Sequence, residues 1–260
     1  MVTLTSKDNS NIKNTIKLKN SSRYRRQTGL FIAEGLRICF DAMLSNAVIE
    51  TLFVTEKAIK KFPDKFNKLK DYSKKTFVVT DKIFELISDT ENSQGVLCII
   101  KALDKINEFD TIKKNGKFLA LDNLQDPNNL GTILRSAEAF GIDCIVMSSD
   151  CCDIYSPKVV RGSMGAIFRI PFIICSSIES FLSENSDLNS YAAVIDENAL
   201  SVNEMNFDAP CIAVIGNEGN GLKQNTIDAC DNKITIPMSG NAESLNASVA
   251  ASIIIWEMIK

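Results

Sequence analysis

The stretch "IPMSGNAESLNASVAASI", Ile236 to Ile253, decides how the second half of the chain is read. It runs as a short apolar strand, a polar glycine-bearing turn, and a helix built mostly of Ala, Ser and Val. Small side chains let two backbones come close, and a polar loop between strand and helix is where α/β proteins hold ligands. The stretch therefore reads either as a ligand loop with a closely packed helix, or as a tightly packed terminal helix alone.

Upstream, apolar runs of strand length alternate with helical patterns. "KFLALDNL", "CIVMSS", "RIPFII", "YAAVID", "CIAVIG" and "KITIPM" read as strands. Between them lie a helix from about Leu130 to Phe140, ended by Gly141, and a helical reading of "SPKVVRGSMGAIF". Strands poor in charge and separated by helices argue for a parallel sheet covered on both faces. Before "ALDKINEFDTIKKNGK", which has no apolar pattern, a smaller set repeats the alternation: a helix over 34–45, "VIETLFV", a lysine-rich helical stretch over 56–75, "TFVVT", a short helix from Asp81, and "GVLCIIK". The layout is a basic arm over 1–30, a small α/β domain over 31–102, a linker over 103–116 and a larger α/β domain over 117–260.

Composition narrows the chemistry. The 260 residues are 45% hydrophobic and 23% charged, as in soluble globular proteins. No apolar run approaches the roughly 18 residues of a membrane span, and no hydrophobic signal core opens the sequence, so a cytoplasmic location is expected. The eight cysteines form no C-x-x-C pair and sit mostly in apolar runs, which reads as reduced, buried thiols with no metal site. Histidine is absent, which removes Ser-His-Asp, Cys-His and H-E-x-x-H machinery. The net charge is −3, yet residues 1–30 carry +6, leaving −9 for the rest. A basic segment on an acidic body supplies local phosphate contacts or a solvated helix face.

Three strand-ending loops gather polar residues. In "LDNLQDPNNLGTILRSAEAFG" a turn at Asp126–Asn129 feeds a helix, with Asn129 its expected N-cap and Arg135 one turn past Gly131. "AVIGNEGNGLKQ" holds three glycines in six residues, spaced neither as a P-loop nor as G-x-G-x-x-G; it is a plain turn or a close backbone approach to a ligand. The third loop is the opening stretch, with Ser244, Asn246 and Ser248.

Taken together, "DPNNLGTILRSAEAFG", "IGNEGNGL" and "IPMSGNAESLNASVAASI" resemble, in order, the three motifs of the SpoU (TrmH-like) RNA ribose methyltransferases of the SPOUT superfamily. The likeness spans about 117–260 and extends more weakly to 12–100, where "RQTGLFIAEGLRICFDAM" looks like the start of the family's substrate-binding domain. The resemblance implies a SPOUT-type parallel sheet with a trefoil knot, a bent S-adenosylmethionine in the knotted loops, a homodimer, and RNA as partner, ribosomal RNA favoured. By family position, Ile215, Gly216, Ile236, Met238 and Leu245 contact the cofactor. Asn129, Arg135, Glu218, Ser244 and Asn246 correspond to catalytic and RNA-contacting positions, with Asn129 and Glu218 orienting Arg135. Arg161 and Ser163, with Arg23, Arg25 and Arg26 of the basic arm, are expected on the RNA. The implied reaction is methyl transfer to a ribose 2′-hydroxyl. The alternatives are a transfer-RNA enzyme, a base methylase, or an inactive RNA-binding or ribosome-assembly protein of the same fold.

Overall fold

The structure is a computed structural model that describes residues 2–103, 109 and 112–260. Half of the linker expected over 103–116 falls outside these. The chain divides into two compact units, one of residues 1–103 with 153–168, the other of 104–152 with 169–260.

The first unit carries a five-stranded sheet of β1 (Val2–Leu4), β2 (Leu30–Glu34), β3 (Ile49–Thr55), β4 (Thr76–Val79) and β5 (Val96–Lys101), in the order β1-β4-β3-β5-β2. β1, β4 and β3 are parallel, and β5 runs antiparallel to both its neighbours. Its helices are α1 (Ser10–Asn20), α2 (Ser22–Thr28), α3 (Leu36–Leu44), α4 (Glu56–Lys61), α5 (Pro63–Tyr72) and α6 (Asp81–Ile87). One face buries Ile12 and Leu18 of α1 and Ile83, Phe84 and Ile87 of α6 against Ile32, Phe53 and Leu97. α3 and α5 pack together and onto β5 and β3. Pro63 splits the lysine-rich stretch into two helices: it sits at the first position of α5, where its missing N–H costs nothing.

Two expectations for this unit are corrected. The basic segment is no free arm, because β1 pairs with β4 and α1 is anchored through fully buried Ile12. "SPKVVRGSMGAIF" is not one helix. It follows α7 (Pro127–Phe140) in the chain and gives α8 (Pro157–Gly162) and, after Met164 and Gly165 at positive φ, a 3-10 turn at Ala166–Phe168. Phe31 stacks on Tyr155 and Phe168, which ties residues 153–168 to β2 within the first unit.

The second unit is a parallel seven-stranded sheet. Its strands are β6 (Lys117–Leu121), β7 (Cys144–Ser148), β8 (Phe172–Cys175), β9 (Asn189–Ala193), β10 (Leu200–Ser201), β11 (Cys211–Ile215) and β12 (Asn232–Thr235), in the order β10-β12-β9-β11-β6-β7-β8. Every pairing in it is parallel. Phe118, Ala120, Val146, Ile212 and Val214 form one inner face with Ile178 and Phe181 of α9 (Ile178–Glu184). The alternate residues serve the opposite face, where α7 and α11 (Ala247–Ile259) pack together; α10 (Gln224–Asp228) lies between β11 and β12 in sequence. The strand order turns back between β6 and β11, and a sheet of this kind binds ligands beyond the carboxyl ends at such a reversal.

α7 begins earlier than its apolar pattern implies. Asp126, not Asn129, is the N-cap, accepting from the Asn128 N–H at 2.8 Å, and Pro127 opens the helix. The eight cysteines are all free thiols. No helix among the described residues is long and apolar enough to cross a membrane.

Candidate active site

The segments that follow β9, β11 and β12 enclose a cavity of about 530 Å³. Its walls include Ile195, Ile215, Ile236, Met238, Leu245 and Ile254, and the backbone from Gly216 to Gly221. Ile195 is 70% exposed, an unusual state for a large aliphatic side chain, and it faces this space.

The loop after β11 closes on itself. Asn217 and Gly221 exchange backbone hydrogen bonds of 3.0 and 2.9 Å. A Cβ on Gly216 would lie 2.3 Å from the Gly221 carbonyl carbon and 2.4 Å from the Leu222 nitrogen. Glycine at 216 is therefore required by the chain's own backbone. Gly221 adopts φ +66°, which also favours glycine.

Glu218 joins this loop to the start of α7. Its carboxylate accepts from the backbone N–H of Gln125 at 3.0 Å and of Asp126 at 2.8 Å, and from Asn129 Nδ2 at 3.0 Å. Burial alone raises the carboxyl's pKa; these three donors outweigh it and hold the group below the usual glutamate range. Buried Asn129 in turn accepts from Asn246 Nδ2 at 2.9 Å. Asn246 caps α11, its Oδ1 accepting from the Ser248 N–H at 3.0 Å and the Val249 N–H at 3.3 Å. One chain of hydrogen bonds thus ties together all three loops singled out in the sequence.

The sequence of residues 116–256 matches the SpoU rRNA Methylase family, and residues 9–98 match the MRM3-like substrate binding domain. The chain belongs to the SpoU rRNA Methylase family. It is 25% identical over 260 residues to the 23S rRNA (guanosine(2553)-2'-O)-methyltransferase RlmP of Bacillus subtilis, covering 99% of each chain. An uncharacterised tRNA/rRNA methyltransferase of Synechocystis is 27% identical over 258 residues, 99% of this chain and 93% of that one. Among solved structures, the AdoMet-bound rRNA methyltransferase of Sinorhizobium meliloti superposes with a TM-score of 0.87 at 25% identity, covering 98% of this chain and 96% of that one.

Within this SpoU protein, Ile215, Gly216, Glu218, Ile236, Met238, Ser244 and Leu245 line the one cavity, and Asn129 and Asn246 join it through Glu218. Arg135 stands apart. It is exposed, has no ion pair or side-chain hydrogen bond among the described residues, and touches neither Asn129 nor Glu218 by hydrogen bond. The polar atoms of Asn129 and Glu218 instead bond each other and the loops.

Two of the arginine and serine positions expected on RNA are interior instead. Arg25 is buried, its Nε 2.7 Å from Asp153 and its Nη1 donating to the carbonyls of Leu18 at 2.6 Å and Lys19 at 3.1 Å. Ser163 is fully buried and donates to the Val160 carbonyl at 2.8 Å. Arg161 pairs with Asp89 at 2.7 Å while remaining partly open to solvent, and Arg23 and Arg26 are exposed. Ile195 was missed in the sequence; its place just past "YAAV", at a strand's carboxyl end, was the signal.

The cavity fits S-adenosylmethionine. Aliphatic walls suit adenine and the methionine chain, main-chain groups of 216–221 offer hydrogen bonds, and the carboxylates of Glu218 and Glu243 at the lining suit a cationic ligand. Among the described residues no group of His, Cys, Asp and Glu is arranged to hold a metal ion.

Proposed function

We propose that this protein methylates a ribose 2′-hydroxyl of ribosomal RNA in the cytoplasm, as a homodimer using S-adenosylmethionine. The observation that carries the reading is a cavity lined by the second and third family motifs and latched to the first through the chain Glu218–Asn129–Asn246. The names of the Bacillus and Sinorhizobium relatives support RNA as the methyl acceptor.

When bound, S-adenosylmethionine supplies a methyl group activated by its sulfonium, so the residues of the chain mainly position and exclude water. Ile195, Met238 and Leu245 shed water from the cavity. Glu218 and Asn129 fix the loops that form its rim. Ser244 lines the side where the ribose is received. Arg135 is always protonated and so serves as no general base. Its free guanidinium pairs with an RNA phosphate, fixes the sugar and stabilises charge developing on its oxygen.

Two features support the dimer. The closing helix α11 has no charged residue before Glu257, and a helix apolar all round is normally covered all round. Yet Val249 is 47% and Trp256 53% exposed, and Trp256 meets half-exposed Phe140 of α7 edge-on at 5.5 Å. The trefoil knot belongs to the same reading: residues 236–245 return from β12 along the cavity before Asn246 starts α11.

Single-turnover methylation tests the role of Arg135. Arg135→Lys should be slowed by at least tenfold with S-adenosylmethionine affinity unchanged, because the planar fork is lost but the cavity is not. A rate near wild type would remove the guanidinium from the mechanism.

A further inference from the structure

The free positive charge of the first unit is not confined to the N-terminal segment. In the N-terminal segment Arg25 is buried on Asp153, Lys13 pairs with Asp8 at 2.9 Å, and Lys19 donates to the carbonyls of Leu86 at 2.8 Å and Ser88 at 2.9 Å. Lys13, Lys19 and Arg25 are thus engaged within the unit, and Lys7, Lys17, Arg23 and Arg26 form no ion pair among the described residues. Residues 56–75, spanning α4 and α5, hold eight lysines against three acidic residues. Only Lys57 and Lys74 of these are ion-paired among the described residues, to Asp81 and Glu50.

The arrangement on α5 is specific. Phe66 and Leu69 face the core. Lys65, Lys68 and Tyr72 follow at i, i+3 and i+7, which places them along one side of the helix, and all three are exposed. Lys65 Nζ lies over the half-buried ring of Phe40 in the neighbouring helix α3, 5.6 Å from its centroid. Lys61, at the end of α4, lies 5.3 Å from the Phe62 ring centroid. On α5 and the neighbouring α3, cations thus interleave with aromatic rings in a chain that is acidic overall. That combination suits single-stranded nucleic acid, whose phosphates pair with the lysines while bases stack on the rings.

We propose that the α3–α5 face is a binding surface for single-stranded RNA, with Lys65 and Lys68 neutralising phosphates and Tyr72 stacking a base. This rests on the reading of the protein as an RNA methyltransferase, and within the segment that matches the substrate binding domain it assigns the grip to one particular helical face. The face lies away from the cofactor cavity in sequence and unit, so the two are separable by mutation.

The test is fluorescence anisotropy with a labelled single-stranded RNA of mixed sequence, about twenty nucleotides long, over a salt series. The full-length Lys65→Gln/Lys68→Gln protein should bind about fivefold or more weakly, with the slope of log affinity against log salt reduced by about 1.4, near 0.7 for each phosphate no longer neutralised. Tyr72→Ala should weaken binding about fivefold or more with the slope unchanged. S-adenosylmethionine affinity, read by calorimetry, should stay at wild type in both and certifies the fold of the second unit; circular dichroism does so for the first. Wild-type affinity and slope in the double variant would overturn the surface. So would weakened binding to ribosomal particles with naked RNA unaffected, which would assign the face to a protein partner. A wild-type protein that methylates no RNA would instead overturn the proposed function.

Discussion

Arg25 and Arg26 are adjacent and chemically identical, yet one is a folding residue and the other a surface cation. The guanidinium of Arg25 satisfies Asp153 and two carbonyl groups in the interior, so its removal leaves a largely buried carboxylate without its cation, holding only the Tyr155 N–H among the described residues. Arg25→Met should destabilise the protein by about 3 kcal/mol in urea titration, as breaking a buried pair does, whereas Arg26→Ala should stay within about 0.5 kcal/mol. Glu218 makes a pH-dependent contribution. Its folded-state pKa is lowered, so the stabilisation is complete above the unfolded value and is lost as pH falls through the lower folded one. Binding of S-adenosylmethionine should therefore weaken in acid as protonated Glu218 releases the Gln125 and Asp126 N–H groups, and Glu218→Gln should flatten that part of the profile. A wild-type acid profile in Glu218→Gln would assign the titration to another group. The identity of both residues was plain in the sequence, but their partners lie 128 and 89 positions away, and no local pattern reports such distances.

At the level of elements, the caps and turns explain why the site residues stand where they do. Asn246 is at once the N-cap of α11 and the donor to Asn129. Asn246→Ala should cost about 1 kcal/mol for the cap and lower S-adenosylmethionine affinity as well, because Asn129 then loses a partner; calorimetry and urea titration separate the two effects. Gly216→Ala should be worse than any cavity-wall change, since the added methyl meets backbone rather than a movable side chain. The strands were legible because charge-poor runs bounded by turns leave few other readings. The start of α7 was not, since Asp126 and Asn129 are equally good caps by residue type and only the Pro127 geometry chooses between them. The break after α8 was hidden for a similar reason: Met164 takes φ +51°, which its side chain does not advertise. The set Asn129, Glu218 and Asn246 carries a structural role of its own, so its presence alone does not separate an active enzyme from an inactive relative.

For the molecule as a whole, the sequence's two blocks of alternating strands and helices correspond to two sheets, one mixed and one fully parallel. What the blocks did not disclose is that residues 153–168 leave the second unit to pack on β2 of the first. If α11 and α7 meet a second copy, Trp256→Asp should convert a dimer to a monomer in light scattering, while a wild-type mass in the variant would place the subunit contact elsewhere. The central claim, that three loops hold a methyl donor against a ribose, is tested most directly by nucleoside mass spectrometry. Ribosomal RNA from cells lacking the gene would be incubated with the purified protein and isotope-labelled S-adenosylmethionine, then digested. Label should appear in a single 2′-O-methylnucleoside and vanish with Arg135→Ala; label on a base, or none at all, would mean that no ribose is methylated.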